Sequence, residues 1–320
     1  MLESAALGIE QQRYQIDKDR AKSVIEKALA GREARTGFFA TNFQPEKPFI
    51  EIAQKYGIQT NNEAFCLNAL FMTTPFVIAQ NTGQFFNRIT DAKLLNDYAW
   101  IFDPSTAINE TTSDPNGVLR KACLDYFRPA GYSVNALGQW MHNLSVLNEK
   151  HQGDIRNFFR ECEDDAVKVV DALVVRPRAK SSEKTGFRRY GPKLARLFVQ
   201  WVNQYELYVL KNSGEVGVPV DFQIARVLIQ TDAIPLSEPV QAHTITHKVL
   251  LPMFTELCNE NGFKPQEVSE ALWTIGSVGC SNRRHEDCPV ASLCNRMISR
   301  NPYDRGGMFD PTDVGRFKKQ

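Results

Sequence analysis

The sequence predicts an all-α protein, on three observations. Apolar residues recur at helical spacing, as in Leu194, Leu197, Phe198, Trp201, Val202 and Tyr205, which step by three and four along one face. No stretch shows a convincing alternation of apolar and polar residues, the pattern of a half-buried strand. Helix boundaries are marked by residues suited to them: Ser133 and Asp221 as N-caps, Pro192 and Pro265 at first helical positions, Asn261-Gly262 as a stop.

Taken in order, Asp17 to Arg32 reads as a charged helix with Ala21, Ile25, Ala28 and Leu29 on one side. Gly37 to Pro48 reads as a loop. The apolar run Ala64 to Ile78 is divided by Thr73-Thr74-Pro75 into two helices, the second continuing through Phe85, Phe86 and Ile89. From Asp103 to Asn116-Gly117 the chain is rich in turn residues and reads as irregular. Val118 to Phe127 reads as a short helix, Ser133 to Leu147 as a longer one, and Asp154 to Cys162 and Asp165 to Val174 as two more. The helix after Gly191 ends near Tyr208, and Lys211 to Gly217 is a loop. Further helices open at Asp221, run from Val240 to Cys258, and extend from Pro265 through Ile275.

At 320 residues the chain can hold one large domain or two modest ones. Its 42% hydrophobic and 23% charged content is that of a soluble globular protein. A formal charge of +1 excludes a general basic coat, so any nucleic-acid surface must be a local patch. Met1 to Gln11 lack the basic-then-apolar run of a signal peptide, and no uninterrupted apolar stretch suits a bilayer. The seven cysteines are odd in number, with three near the C-terminus, which is not a secreted disulfide framework. The expectation is a cytoplasmic protein with no membrane partner.

The local patch exists. Val175 to Arg196 carries Arg176, Arg178, Lys180, Lys184, Arg188, Arg189, Lys193 and Arg196 against one acid, Glu183. Within it, Phe187-Arg188-Arg189-Tyr190-Gly191-Pro192-Lys193 reads as a tight turn running into a helix, with Gly191 taking the positive φ of a sharp hairpin. Lys193 then falls in the first helical turn, where exposed N–H groups and the helix dipole favour an anion such as a DNA phosphate. A hairpin lysine and a helix-capping carboxylate, Asp221, suit attack at an electrophilic sugar carbon. The amine can form a Schiff base, and the carboxylate can stabilise a cationic transition state or take a proton.

Cys280, His285, Cys288 and Cys294 crowd soft ligands into fifteen positions. His285 and Cys288 have the two-residue gap of a chelating pair, and Cys288-Pro289 has the form seen in iron–sulfur loops. Zinc with three sulfurs and one histidine is the alternative, and reduced cysteines with no metal the third. Cys66, Cys123, Cys162 and Cys258 sit among apolar neighbours and read as core residues.

Together these segments resemble the helix-hairpin-helix DNA glycosylase superfamily, which contains endonuclease III. Tyr190-Gly191-Pro192-Lys193-Leu194-Ala195 is similar to its hairpin and catalytic lysine. Val220-Asp221-Phe222-Gln223-Ile224-Ala225-Arg226-Val227 is similar to the segment bearing its catalytic aspartate, and Leu272 to Ser277 running into the cysteines to its iron–sulfur loop. They follow the family's order over roughly Phe187 to Asn295. Three departures stand out. Arg189 replaces the first hairpin glycine, the loop between Lys193 and Asp221 is longer, and the second cluster position is His285, with Cys280 closer to Cys288 than usual.

The resemblance implies two helical domains flanking a DNA-binding cleft. One is a helical barrel over 61–201 with the helix-hairpin-helix near 187–201; the other joins 1–60 to 202–320 and carries the cluster loop 280–294. It implies a monomer in the bacterial or archaeal cytoplasm, associated with the nucleoid, or in a eukaryotic nucleus. Such a protein flips a damaged or modified base out of double-stranded DNA and excises it, with Lys193 as Schiff-base nucleophile and Asp221 as catalytic carboxylate. Lys184, Arg188, Arg189, Tyr190, Gly191 and Arg196 are the expected DNA contacts, and Thr73-Thr74-Pro75, between two barrel helices, either fills the vacated stack or packs in the core. Cys280, His285, Cys288 and Cys294 would hold a [4Fe–4S] cluster, zinc or nothing. Alternative functions are a glycosylase for a deliberately modified base in foreign DNA, a monofunctional glycosylase, and a non-enzymatic DNA-binding module with a structural metal.

Overall fold

The computed structural model describes residues 16–40, 44, 46–77, 82–91, 97, 99–113, 117, 121, 125, 134–174, 186–282, 284–294 and 307–310. The protein is mostly helical. Its chain divides into a central unit, Gln44–Ser213, and a terminal unit built from Met1–Phe43 and Gly214–Gln320. Among the described residues, no helix is long and apolar enough to cross a membrane.

The terminal unit opens with α1 (Lys18–Glu33), capped by the Asp17 carboxylate, which accepts from the Arg20 amide at 2.9 Å. Ala21, Val24, Ile25 and Ala28 form its buried stripe. The central unit follows with α2 (Lys47–Thr60), α3 (Phe65–Thr73), α4 (Thr82–Ile89), α5 (Pro104–Ser113), α6 (Val134–His151), α7 (Ile155–Glu161), α8 (Ala166–Val174) and α9 (Pro192–Gln204). Helix α3 is buried on every side and packs against α2, α6, α7 and α9. Its one polar residue on the inner turns, Asn68, is satisfied by donating to the Gly153 carbonyl at 2.7 Å and accepting from the Ile155 amide at 3.0 Å. Phe71, Phe76, Phe102, Trp140, Phe159 and Phe198 fill the core around it.

The chain re-enters the terminal unit with α10 (Phe222–Gln230), α11 (Leu251–Asn261) and α12 (Pro265–Thr274). Val24, Ile25, Ile224, Leu228, Ile245 and Leu272 are at the centre of its core. A two-stranded antiparallel ribbon, β1 (Val240–Gln241) with β2 (Met308–Phe309), pairs Val240 with Phe309.

Three elements differ from expectation. The stretch after Asp103 is helical, because Pro104 occupies the first helical position and Asp103 Oδ1 accepts from the Thr106 amide at 2.9 Å. Its threonines and serine looked like turn residues, but the cap and proline decide. Helix α2 starts at Lys47, inside the end of the expected loop, and continues to Thr60 through a stretch for which no element was expected; Pro48 sits in its first turn, where a missing N–H costs nothing. The helix expected over Val240–Cys258 is largely present, but its first two residues form the β1 strand and its turns over Thr244–Leu250 are π-helical before α11. The expected helix Val118–Phe127, the cap Ser133 and Cys123 lie outside the described residues.

Candidate functional site

The basic turn is held from inside the central unit. Phe187 meets Phe71 edge-on at 4.6 Å between ring centroids, and Tyr190 stacks on Phe71 at 5.2 Å. Tyr190 is 5% exposed, and its hydroxyl donates to the Phe71 carbonyl at 2.6 Å. Burial holds its phenol pKa well above the ordinary value. Tyr190 is therefore a core residue, which corrects its assignment as a DNA contact: the hydroxyl is already committed inside.

The left-handed position of the turn is Arg189, at φ +69°. Gly191 does not supply it, being extended at φ −97° and ψ 176° as the residue before α9. Arg189 thus takes the backbone conformation that glycine takes most easily. Its side chain compensates by donating from Nε to the Pro75 carbonyl at 3.1 Å and from Nη1 to Gln139 Oε1 at 3.0 Å. The guanidinium also lies over the Phe76 ring, 4.8 Å from its centroid.

Arg188 is half-buried, and its backbone N–H and carbonyl both bond the Asn143 side chain. Pro192 begins α9, Lys193 is its second residue, half-buried, and Arg196 follows one turn later. Burial lowers the Arg196 pKa against the opposing charge of Asp171, and its Nη1 donates to the Pro192 carbonyl at 3.3 Å. Lys184 lies outside the described residues. Thr73 and Thr74 are fully buried, and their hydroxyls donate back to Ala69 and Leu70 carbonyls at 2.8 and 2.7 Å. With Pro75 they lead into the core, so they cannot fill a base stack.

In the terminal unit, Asp221 is 5% exposed and caps α10. One carboxylate oxygen accepts from the amides of Gln223 at 2.8 Å and Ile224 at 3.3 Å. The start of α10 is approached closely by the π-helical segment Ile275–Cys280 that continues α12. A Cβ at Gly276 would lie 2.5 Å from the Gln223 carbonyl oxygen, so only glycine fits. One turn into α10, the buried Arg226 donates from Nη1 to Ser281 Oγ at 2.8 Å. The aspartate helix and the segment leading into the cysteines are thereby joined.

The cysteine loop is seated on the N-terminal part of the same unit. Arg20 donates from Nη2 to the Leu293 carbonyl at 2.8 Å, and a side chain at Gly37 (φ +57°) would collide with the Asp287 carbonyl. Burial pushes the Cys280 thiol up to about 12, with Cys288 and Cys294 adding to the rise and Arg226 opposing it. Burial likewise pushes Cys288 up to about 11. Cys280 Sγ donates to Gln230 Oε1 at 3.1 Å. Cys66, Cys162 and Cys258 are free and buried.

Among the described residues, no three His, Cys, Asp or Glu converge closely enough to hold a single metal ion. The charges of Cys288 and Cys294 reach Cys280 beside the buried Arg226 guanidinium, and soft sulfur donors of this kind suit either zinc or an iron–sulfur cluster.

The chain matches no family model, no curated protein and no solved structure at a significant level.

Proposed function

We propose that this chain is a DNA glycosylase with AP lyase activity, acting as a monomer on double-stranded DNA that contains a damaged or modified base. What supports it above all is the start of α9. A turn that is left-handed at residue 189 passes through Gly191-Pro192 and sets Lys193 in the first helical turn. That position suits an amine meant to meet a sugar between phosphates. The proposal includes the DNA-binding cleft between two helical domains that the family resemblance implies.

The target nucleotide is flipped out at a cost of about a few kcal/mol, least for a damaged pair. The Lys193 amine attacks C1′ as the C1′–N bond to the base breaks, and the departing base takes up a proton. The Asp221 carboxylate stabilises the positive charge developing on the sugar. Opening of the sugar ring yields a Schiff base between Nζ and C1′, and β-elimination then breaks the C3′–O bond. Arg188, Lys184 and the Gly191 amide are the proposed phosphate contacts. Arg196 is a further proposed DNA contact, and Arg189 chiefly holds the turn through Pro75 and Gln139. Cys280, His285, Cys288 and Cys294 would hold the [4Fe–4S] cluster, which supplies a rigid loop and one-electron chemistry, with no step of base excision passing through it.

Borohydride reduction during reaction with an abasic duplex tests the lysine directly. A covalent adduct lost in Lys193→Gln supports the lyase. Base release without any adduct identifies a monofunctional glycosylase, and DNA binding with neither leaves a binding module.

A further inference from the structure

Helix α6 turns one polar stripe toward the basic turn. Gln139, His142 and Asn143 stand at i, i+3 and i+4 spacing, which places them on one helical face. Each meets a different residue of the turn: Gln139 the Arg189 guanidinium, His142 the Gly186 carbonyl at 2.9 Å, and Asn143 the backbone of Arg188. The Asn143 contact differs in kind from the others. Its side chain is fully buried, Oδ1 accepts from the Arg188 N–H at 2.7 Å, and Nδ2 donates to the Arg188 carbonyl at 3.1 Å. The two bonds fix the amide orientation, since only oxygen can face the N–H and only nitrogen the carbonyl.

We propose that Asn143 is a positioning residue for Lys193, holding Arg189 in its left-handed conformation by gripping the two peptide planes on either side of Arg188. A non-glycine residue at positive φ can relax by rotating the preceding peptide plane. That plane carries the Arg188 carbonyl, and its rotation would change φ at Arg189 directly. Phe187 and Tyr190 anchor their rings in the core on either side of Arg188 and Arg189, but rings do not stop the intervening planes from turning. The Nδ2 bond does. Between Arg189 and Lys193, Tyr190 is anchored, the Gly191 carbonyl accepts from the Ala195 N–H at 3.0 Å, and Pro192 has a fixed φ. Asn143 therefore does from another helix what a glycine would do within the turn. The catalytic consequence rests on the reading of Lys193 as the nucleophile; the grip on the turn does not.

The test is a cycle of Asn143→Ala in the native and Arg189→Gly backgrounds. Two readouts are taken on the full chain. One is the single-turnover rate of borohydride-trapped adduct at saturating protein on an abasic duplex. The other is amide hydrogen exchange in peptides covering 186–196, which needs no activity. In the native background, Asn143→Ala is expected to slow trapping about tenfold or more and to speed exchange in this segment. In the Arg189→Gly background the same substitution is expected to change the trapping rate by less than about twofold, because glycine needs no holding. Equal losses in both backgrounds would mean ordinary structural support and would overturn the proposal, as would unchanged exchange in Asn143→Ala. If the native protein forms no adduct, the lysine reading fails and the positioning of Lys193 for catalysis fails with it, while the exchange cycle still decides the grip on the turn.

Discussion

The Arg189 guanidinium lies 4.8 Å from the centre of the Phe76 ring while the backbone of the same residue is left-handed. A cation anchored on an aromatic face thus offsets a conformation that costs a non-glycine residue about 1–2 kcal/mol. Two substitutions separate the contributions. Arg189→Ala loses the anchors and keeps the conformational cost, whereas Arg189→Gly loses the anchors and sheds it. In urea unfolding the alanine variant is expected to be about 1 kcal/mol less stable than the glycine variant. Equal stabilities would show that the turn carries no such cost.

Tyr190 stands at the centre of the turn yet belongs to the core. Removing its hydroxyl in Tyr190→Phe leaves the Phe71 carbonyl without its donor and is expected to destabilise the protein by about 1 kcal/mol. DNA affinity, measured by fluorescence anisotropy, should not change. A weakened affinity with unaltered stability would return Tyr190 to the DNA surface.

Asp221 is expected to serve α10 and the reaction through the same carboxylate. Asparagine can keep the acceptor that caps the helix but carries no charge, while alanine provides neither. Asp221→Ala should therefore lose about 1 kcal/mol of stability and Asp221→Asn only a few tenths. Base release should fall roughly 100-fold or more in both. Full activity in the asparagine variant would leave Asp221 as a cap only.

The core thiols give the fold an alkaline limit. Burial pushes Cys66 and Cys258 each up to about 12. Both states hold these protons below the ordinary thiol pKa of about 8.5, so stability there does not depend on them. Above it the unfolded chain releases protons that the folded protein keeps. Stability should then fall by up to roughly 1.4 kcal/mol per pH unit for each thiol, until the folded value is reached. Unfolding at about pH 8 and about pH 10 should show the decline, and replacing both cysteines with alanine should reduce it. An unchanged slope in that variant would place the alkaline sensitivity elsewhere.

Helix boundaries were most legible where a single side chain decides them. Asp17, Asp154 and Asp221 each cap the helix expected after them, and Gly262 ends α11 at φ +66°. Legibility failed where two local signals competed. Asp103-Pro104 begins α5 despite its turn-forming composition, and Pro48 looked like a breaker although it sits in the first turn of α2. In the candidate site, the placement of Lys193 in a first helical turn followed from Gly191-Pro192 alone. The conformation of the turn did not, because the left-handed residue is set by contacts from Pro75, Phe76 and α6, far away in sequence. Tyr190 was misread for the same reason: its basic neighbours suggested a surface, and only the packing of α3 reveals the core beneath. The polar stripe of Gln139, His142 and Asn143 was not read from the sequence, because only the tertiary fold shows what that face of α6 meets.

The central claim, that Lys193 attacks a sugar carbon, is tested most directly by borohydride trapping on an abasic duplex, comparing the native protein with Lys193→Gln. The expected result is a covalent protein–DNA adduct in the native protein, mapped to the peptide containing Lys193, and its loss in the variant while DNA binding persists. An adduct that survives Lys193→Gln undiminished, or no adduct in native protein that binds the duplex, would contradict it.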